Sequence, residues 1–145
     1  MKFMKSNREI LTSMLHTVQM GQTGIRCIMD NAVKTDLKAE LKDQLHEYDM
    51  LEKETLQVAQ NMGLELKNLH PALETMSNMM SKMQLIGGDT DSKIAGMLIQ
   101  GNTRGMILGL KNLRKAANIQ PQVQALAQKI INRENMNIQK SQPFL

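Results

Sequence analysis

Apolar side chains recur at alternating steps of three and four residues along most of this chain. In the first run, Leu11, Met14, Val18 and Ile25 fall on one stripe of a helix, a spacing typical of helices packed in a bundle. Comparable runs follow in three later segments, 36–62, 91–116 and 121–140. Aromatic residues make up only 2% of the chain, whereas β-sandwiches and β-barrels depend on aromatic and β-branched side chains. The pattern therefore predicts an all-α protein.

Capping and helix-breaking residues separate these runs. Ser6 or Asn7 suits the N-cap of the first helix, Gly63 suits a left-handed helix stop, and Pro121 suits a first helical turn. A Gly-Gly-Asp-Thr-Asp sequence at 87–91 marks another break. We therefore predict a single domain, 1–145, with helices at 7–33, 36–62, 71–86, 91–116 and 121–140 and a flexible tail at 141–145.

A weak internal repeat indicates how these helices are arranged. Residues 18–24 (VQMGQTG) resemble residues 99–105 (IQGNTRG), and each copy is followed by a break and then another helix. Such a repeat indicates two helical hairpins in tandem. One long crossover between hairpins is the ferritin-like version of a four-helix bundle. We predict an antiparallel four-helix bundle of ferritin-like topology, with a short extra helix in the crossover between helices 2 and 3.

Two stretches, 37–48 (LKAELKDQLHEY) and 94–105 (IAGMLIQGNTRG), resemble a bacterial family of ferritin-like helical proteins related to the spore coat protein F group. The resemblance extends from about residue 14 to residue 140 and consists of helical patterns. It implies a non-enzymatic, structural or protein-interaction role related to the spore coat. It also implies that other coat or structural proteins are partners.

Many ferritin-like bundles hold two metal ions with carboxylates and two Glu-x-x-His pairs, and this sequence lacks that set. On helix 2 the corresponding positions are Gln44 and Glu47, and on helix 4 they are Glu134 and Asn137. We therefore expect no metal, no cofactor and no enzymatic activity. The alternative is a metal-handling protein that uses a residual carboxylate site at Glu47 and Glu134.

Neutral polar side chains occupy the expected inward stripe instead. We predict that four of them form a hydrogen-bonded polar layer in the core, which fixes helix register at some cost in stability. The predicted members of the layer are Gln22, Gln44, Gln100 and Glu134.

Glycines recur every four residues along one side of helix 3, at Gly101, Gly105 and Gly109, and Gly21 and Gly24 occupy the matching level of helix 1. Glycine lowers helix stability relative to alanine, so a compensating contact is expected. We predict that helices 1 and 3 cross closely at these glycines.

Methionines at helical spacing form a stripe on the short helix, at Met76, Met79, Met80 and Met83. Thioethers bind Cu(I), which keeps a copper site as an alternative. Methionine also fills irregular grooves and adaptable binding surfaces, and we favour that interpretation. Together with two apolar faces on helix 3, the stripe predicts self-association, as a dimer.

Other functions have little support in the sequence. The net charge is only +4 and the basic residues are spread along helices 3 and 4, so we expect no nucleic-acid partner. The single cysteine excludes an internal disulfide. Neither a signal peptide nor a membrane span is visible, which predicts a cytoplasmic protein, spore-associated if the resemblance holds.

Overall fold

The structure is a computed structural model, and it describes residues 4–69, 77–78, 81 and 88–145. Within these ranges the chain is helical, which confirms the all-α prediction. The four long helices are α1 (Asn7–Ile28), α2 (Thr35–Asn61), α3 (Thr90–Arg114) and α4 (Pro121–Ser141). Two 3-10 helices, Met29–Asn31 and Gln142–Phe144, extend the ends of α1 and α4.

Three of the predicted helices match α2, α3 and α4 to within two residues at each end. The first helix is shorter than predicted, because its α-helical part ends at Ile28 and a 3-10 turn follows. Asp30 and Asn31 lie in that turn, and such side chains compete with helical backbone bonds. The predicted helix at 71–86 lies almost wholly outside the described residues, which include only 77, 78 and 81 of it.

The C-terminal residues differ from the flexible tail that the sequence predicts. Ser141 is buried, and residues 142–144 form a 3-10 helix that contacts α3 and α4. Phe144 packs against the core. An apolar ring near the end of the chain therefore holds the last turn against the bundle.

Local signals place the helix ends. Ser6 caps α1 through a capping box, in which its Oγ accepts from the Glu9 backbone N–H at 3.2 Å. Asp89 caps α3 by accepting from the Ser92 backbone N–H at 2.8 Å. Gly63, just after α2, has a φ of +69°, which confirms the predicted left-handed stop.

The helices surround one apolar core. α1 packs against both α2 and α3, and α4 also packs against both of these helices. The start of α1 lies beside the end of α3, where the Lys5 backbone N–H donates to Lys115 O at 2.6 Å. Fully buried aliphatic side chains fill the centre: Ile10, Leu11, Leu15, Val18, Leu37, Leu41, Ile94 and Val123.

α2 and α4 share a burial pattern. Six buried positions have identical spacing in the two helices: Leu37, Leu41, Gln44, Tyr48, Leu51 and Thr55 in α2, and Val123, Ala127, Ile130, Glu134, Asn137 and Ser141 in α4. The last residues of the two sets, Thr55 and Ser141, make the same kind of local hydrogen bond: each hydroxyl donates to the carbonyl four residues earlier at 2.7 Å. Tyr48 and Glu134 therefore occupy the same position in this shared pattern.

No helix among the described residues is both long enough and apolar enough to cross a bilayer.

Asp91 joins the connection between α1 and α2 to the start of α3. Its carboxylate is buried and accepts from the backbone N–H groups of Val33 at 2.8 Å and Lys34 at 2.9 Å. Asp91→Asn removes one of these acceptors and should destabilise the protein by about 1–3 kcal/mol. The measurement is urea denaturation followed by circular dichroism. Asp89→Asn is the matched control and should change little, since Asn caps helices as well as Asp; equal effects of the two changes would contradict this role.

Candidate functional site

Three of the four predicted layer residues are buried, and the fourth prediction is wrong. Gln22, Gln44 and Glu134 lie in the core, with exposed fractions of 5%, 0% and 1%. Gln100 is exposed, and Asn102 takes the inward position on α3. Because α3 carries apolar residues on two faces, the sequence pattern did not decide which of its faces turns inward.

The buried polar residues do not form one continuous layer. Gln22 donates to Asp49, near the middle of α2, at 2.8 Å. Gln44 donates to Glu40 at 2.9 Å and to Ser141 at 3.3 Å, close to the end of α4. The predicted layer is thus distributed along the bundle, and Gln22 and Gln44 bond to residues outside the predicted set.

A second network, which the sequence analysis missed, occupies the centre. The Tyr48 hydroxyl donates to Asn102 Oδ1 at 2.8 Å, and Asn137 Nδ2 donates to the same oxygen at 3.2 Å. Asn102 Nδ2 donates to the Leu98 carbonyl at 2.7 Å, and Arg133 Nε donates to Asn137 Oδ1 at 3.0 Å. The network connects α2, α3 and α4. The available signal was Tyr48, because a buried tyrosine hydroxyl needs a partner.

Glu134 lies beside this network without joining it. Its Oε1 is buried and has no hydrogen-bond partner in the described part of the chain. Burial raises the pKa of the Glu134 carboxyl to about 8, because a charged carboxylate is poorly solvated there. Burial, and next the nearby Glu134 charge, also raise the pKa of Tyr48 above its ordinary value. The centre of the bundle therefore holds one acid with an unmet need for a donor.

One carboxylate of the alternative metal site at Glu47 and Glu134 has a cationic partner. Glu47 is half-buried, and its Oε2 lies 4.0 Å from Arg133 Nη1. Arg133 also pairs with Asp43 at 3.2 Å, so Glu47 belongs to a surface ion-pair group. Within the described ranges, no three His, Cys, Asp or Glu side chains are grouped so that they could hold a metal ion. The predicted methionine stripe lies outside the described residues: Met76, Met79, Met80 and Met83.

The predicted close crossing of α1 and α3 at the glycines is wrong. A Cβ at Gly21 would lie 2.6 Å from the Tyr48 ring of α2, so this close approach is between α1 and α2. A Cβ at Gly105 would collide with the carboxylate of Glu134, and one at Gly109 would lie 3.0 Å from Ile131, both on α4. These close approaches therefore lie between α1 and α2 and between α3 and α4. Sequence spacing indicates a close approach but not which neighbour makes it.

Gly101 and Gly24 lie instead along a groove between α1 and α3. No atom of the described residues lies within 4 Å of the position of a Cβ at Gly101. The groove has a volume of about 900 Å³, within the range of small-molecule sites. Its residues include Ile25 and Met97 toward one end and Lys5 toward the other. Three side chains of the central polar region also line it: Tyr48, Asn102 and Glu134.

The central region therefore combines an open groove, a satisfied amide and phenol network, and an unsatisfied buried acid. This arrangement can bind a small group that supplies hydrogen-bond donors. Comparison with protein-family models, with curated proteins and with solved structures finds no match to this chain, so the resemblance to the spore coat protein F group stays a prediction.

Proposed function

We propose that this protein is a non-enzymatic helical bundle of ferritin-like topology that serves as a structural or protein-interaction unit. The supporting observation is the set of residues at the centre. Where a di-metal bundle needs carboxylates and histidines, Tyr48, Asn102 and Asn137 bond to one another instead. Amide and phenol groups that hydrogen-bond to one another stabilise a core. They carry no negative charge, so they are weaker ligands for a divalent cation than carboxylates are.

Contacts between helix ends support the ferritin-like, antiparallel arrangement. Asp91, near the start of α3, bonds to Val33 and Lys34 just before α2, so α2 and α3 begin at the same end. Ser141, at the end of α4, lies by Gln44 in the first half of α2, which gives α2 and α4 opposite directions. Two successive helices that begin at one end require a connection running the length of the bundle, which is the long crossover of this topology.

The described beginning of that connection supports the same topology. Beyond α2 the chain turns back along α1, where His16 Nε2 bonds to the Lys67 carbonyl at 3.0 Å. Two residues later, the Leu69 backbone N–H donates to Gln19 Oε1 at 2.7 Å. From residue 67 to residue 69 the connection therefore advances along α1 away from its start.

The role in a spore coat is proposed from the sequence resemblance, with other coat proteins as partners in a spore-forming cell. Nucleic acid is a poor candidate partner. Several basic side chains of α4 are paired with acids of α2, as Lys129 is with Glu54 at 2.6 Å and Arg133 with Asp43. Paired cations are less available to neutralise phosphates, which supply most non-specific affinity for nucleic acids.

We further propose a homodimer that uses the exposed apolar side of α3. Ile107 and Leu110 have exposed fractions of 49% and 47%. Light scattering after gel filtration should give twice the chain mass of 16.4 kDa. Leu110→Glu should weaken association at least about tenfold by placing a charge in an apolar contact, and Lys111→Glu, at an exposed neighbouring position, should have a smaller effect. A mass of one chain at all concentrations would contradict the dimer.

The competing function is metal handling. The observation in its favour is the unpartnered Oε1 of Glu134, since metal ions bind such oxygens. Against it stands Glu47, the second carboxylate of the residual site, which is paired with Arg133. Copper binding by Met76, Met79, Met80 and Met83 remains the other form of this alternative. Metal content separates these functions from the one proposed here.

A further inference from the structure

The groove between α1 and α3 reaches the centre of the bundle because small residues line it there. In the part of the chain that the structure describes, nothing lies within 4 Å of where a side chain of Gly101 would begin. Gly24 lines the groove from α1. Gly105 has no side chain, and the carboxylate of Glu134 occupies the space that a Cβ would need. Larger residues at these positions would fill the groove or displace Glu134. The glycines therefore let the groove extend to this acid, which is one of its lining residues.

Glu134 has no donor available from its polar neighbours. The Tyr48 hydroxyl donates to Asn102, and Asn102 Nδ2 donates to the Leu98 carbonyl. Asn137 Nδ2 also donates to Asn102. With these donors engaged, Oε1 of Glu134 is left buried and without a partner among the residues that the structure describes. A buried, unpaired acceptor is costly, and a group that brings both donors and positive charge would relieve that cost most fully.

We propose that this groove binds a small organic monocation, a protonated amine on an apolar chain, whose ammonium group pairs with Glu134. This inference rests on the proposed function, because it requires that Glu134 is not a metal ligand. An ammonium group supplies three donors and a full charge, which match one carboxylate. The chemistry is the same for a free alkylamine and for a lysine side chain presented by a peptide.

The two ends of the groove differ, and the difference orients the ligand. On one side of the glycines the lining is apolar, with Ile25, Ile28 and Met97. The other end includes two cations, Lys5 and Arg8, and one acid, Glu9, whose Oε1 accepts from Ser6 Oγ at 3.2 Å. Apolar lining favours a hydrocarbon chain, whereas the cations disfavour a second positive charge. The groove therefore selects an amine with one charge and an apolar tail over a polyamine.

Calorimetric titration with hexylammonium chloride tests the proposal at about pH 8, near the pKa of Glu134. Hexanol and hexanoate supply the same tail without the cation, and spermidine supplies amines without the tail. Hexylammonium should bind at least about tenfold more tightly than any of the three. A lysine-containing peptide with apolar neighbours distinguishes the peptide source from the free amine, and binding by either supports the proposal.

Three variants locate the site. Glu134→Gln should reduce hexylammonium binding at least about tenfold, toward the level of hexanol. Glu54→Gln is the matched control, since Glu54 pairs with Lys129 outside the groove, and it should bind as the wild type does. Gly101→Leu should block the groove while the helix stays folded, because the start of its side chain meets nothing. Its circular dichroism should match that of the wild type.

The proposal is overturned if hexylammonium fails to bind, if hexanol or hexanoate binds as tightly, or if Glu134→Gln leaves binding unchanged. Unchanged binding to a folded Gly101→Leu protein would also overturn it. The proposed function would survive each of these results, because it fails on a different observation, the retention of iron or manganese through Glu134.

Discussion

Gly21→Ala is expected to destabilise the protein by about 2 kcal/mol, although alanine is the better helix former. A Cβ at this position would lie 2.6 Å from Cε2 and Cζ of the Tyr48 ring, and 3.0 Å from Cε1. The ring is buried and its hydroxyl is held by Asn102, so it cannot move aside freely. Overpacking of this kind costs about 1–3 kcal/mol, and weakening of the Tyr48 hydrogen bond adds about 1 kcal/mol. The gain in helix propensity offsets about 1 kcal/mol of this sum.

Gly101→Ala is the matched control, because it makes the same change on α3 where no described residue lies within 4 Å of the new methyl group. It should stabilise the protein by up to about 1 kcal/mol through helix propensity alone. Urea denaturation of the two variants and the wild type gives both free energies. The near-ultraviolet circular dichroism of Tyr48 should change only in Gly21→Ala. Equal stabilities of the two variants would show that Gly21 is not pressed against the tyrosine.

The second large effect is expected in the dependence of stability on pH. Folding raises the pKa of Glu134 from 4.5 to about 8, so between these values the folded state holds a proton that the unfolded state releases. The contribution of Glu134 to stability is therefore greatest below about pH 4.5 and is lost progressively as the pH rises to about 8. The difference in pKa corresponds to a loss of at most about 5 kcal/mol.

Glu134→Gln should remove this loss, because the amide does not titrate. The variant should have a much flatter decline in unfolding free energy between about pH 5 and pH 8, and it should exceed the wild type in stability above that range. Glu54→Gln, which alters an exposed ion pair with Lys129, should keep the wild-type pH profile and change stability by about 0.5 kcal/mol or less. Parallel profiles for wild type and Glu134→Gln would contradict the raised pKa.

Helical periodicity was sufficient to predict α2, α3 and α4, because each packs one side against the core and carries a local signal at its start or end. The direction in which a side chain points was harder to predict on α3. Apolar residues lie on more than one side of this helix, and successive residues turn by about 100°. Choosing the wrong side placed Gln100 inward in place of Asn102.

Contacts between distant residues could not be obtained from spacing. The sequence placed Asp91 only in a break between helices, whereas its carboxylate binds backbone groups of Val33 and Lys34. Likewise, the glycines indicated close packing, but only the fold shows that Gly21 meets Tyr48 and that Gly105 meets Glu134. These pairings depend on how the hairpins dock, and a single sequence carries little information about docking. The groove with its unpaired acid is a consequence of the same docking.

Metal content tests most directly whether the bundle functions without a di-metal centre. Purified protein is exposed without oxygen to Fe(II), Mn(II), Zn(II) and Cu(I), then desalted and analysed for metal ions per chain, with Glu134→Gln in parallel. We expect no stoichiometric metal in either protein. One or more iron or manganese ions per chain, lost in Glu134→Gln, would contradict the proposed function, and retained copper would direct attention to the methionine stripe.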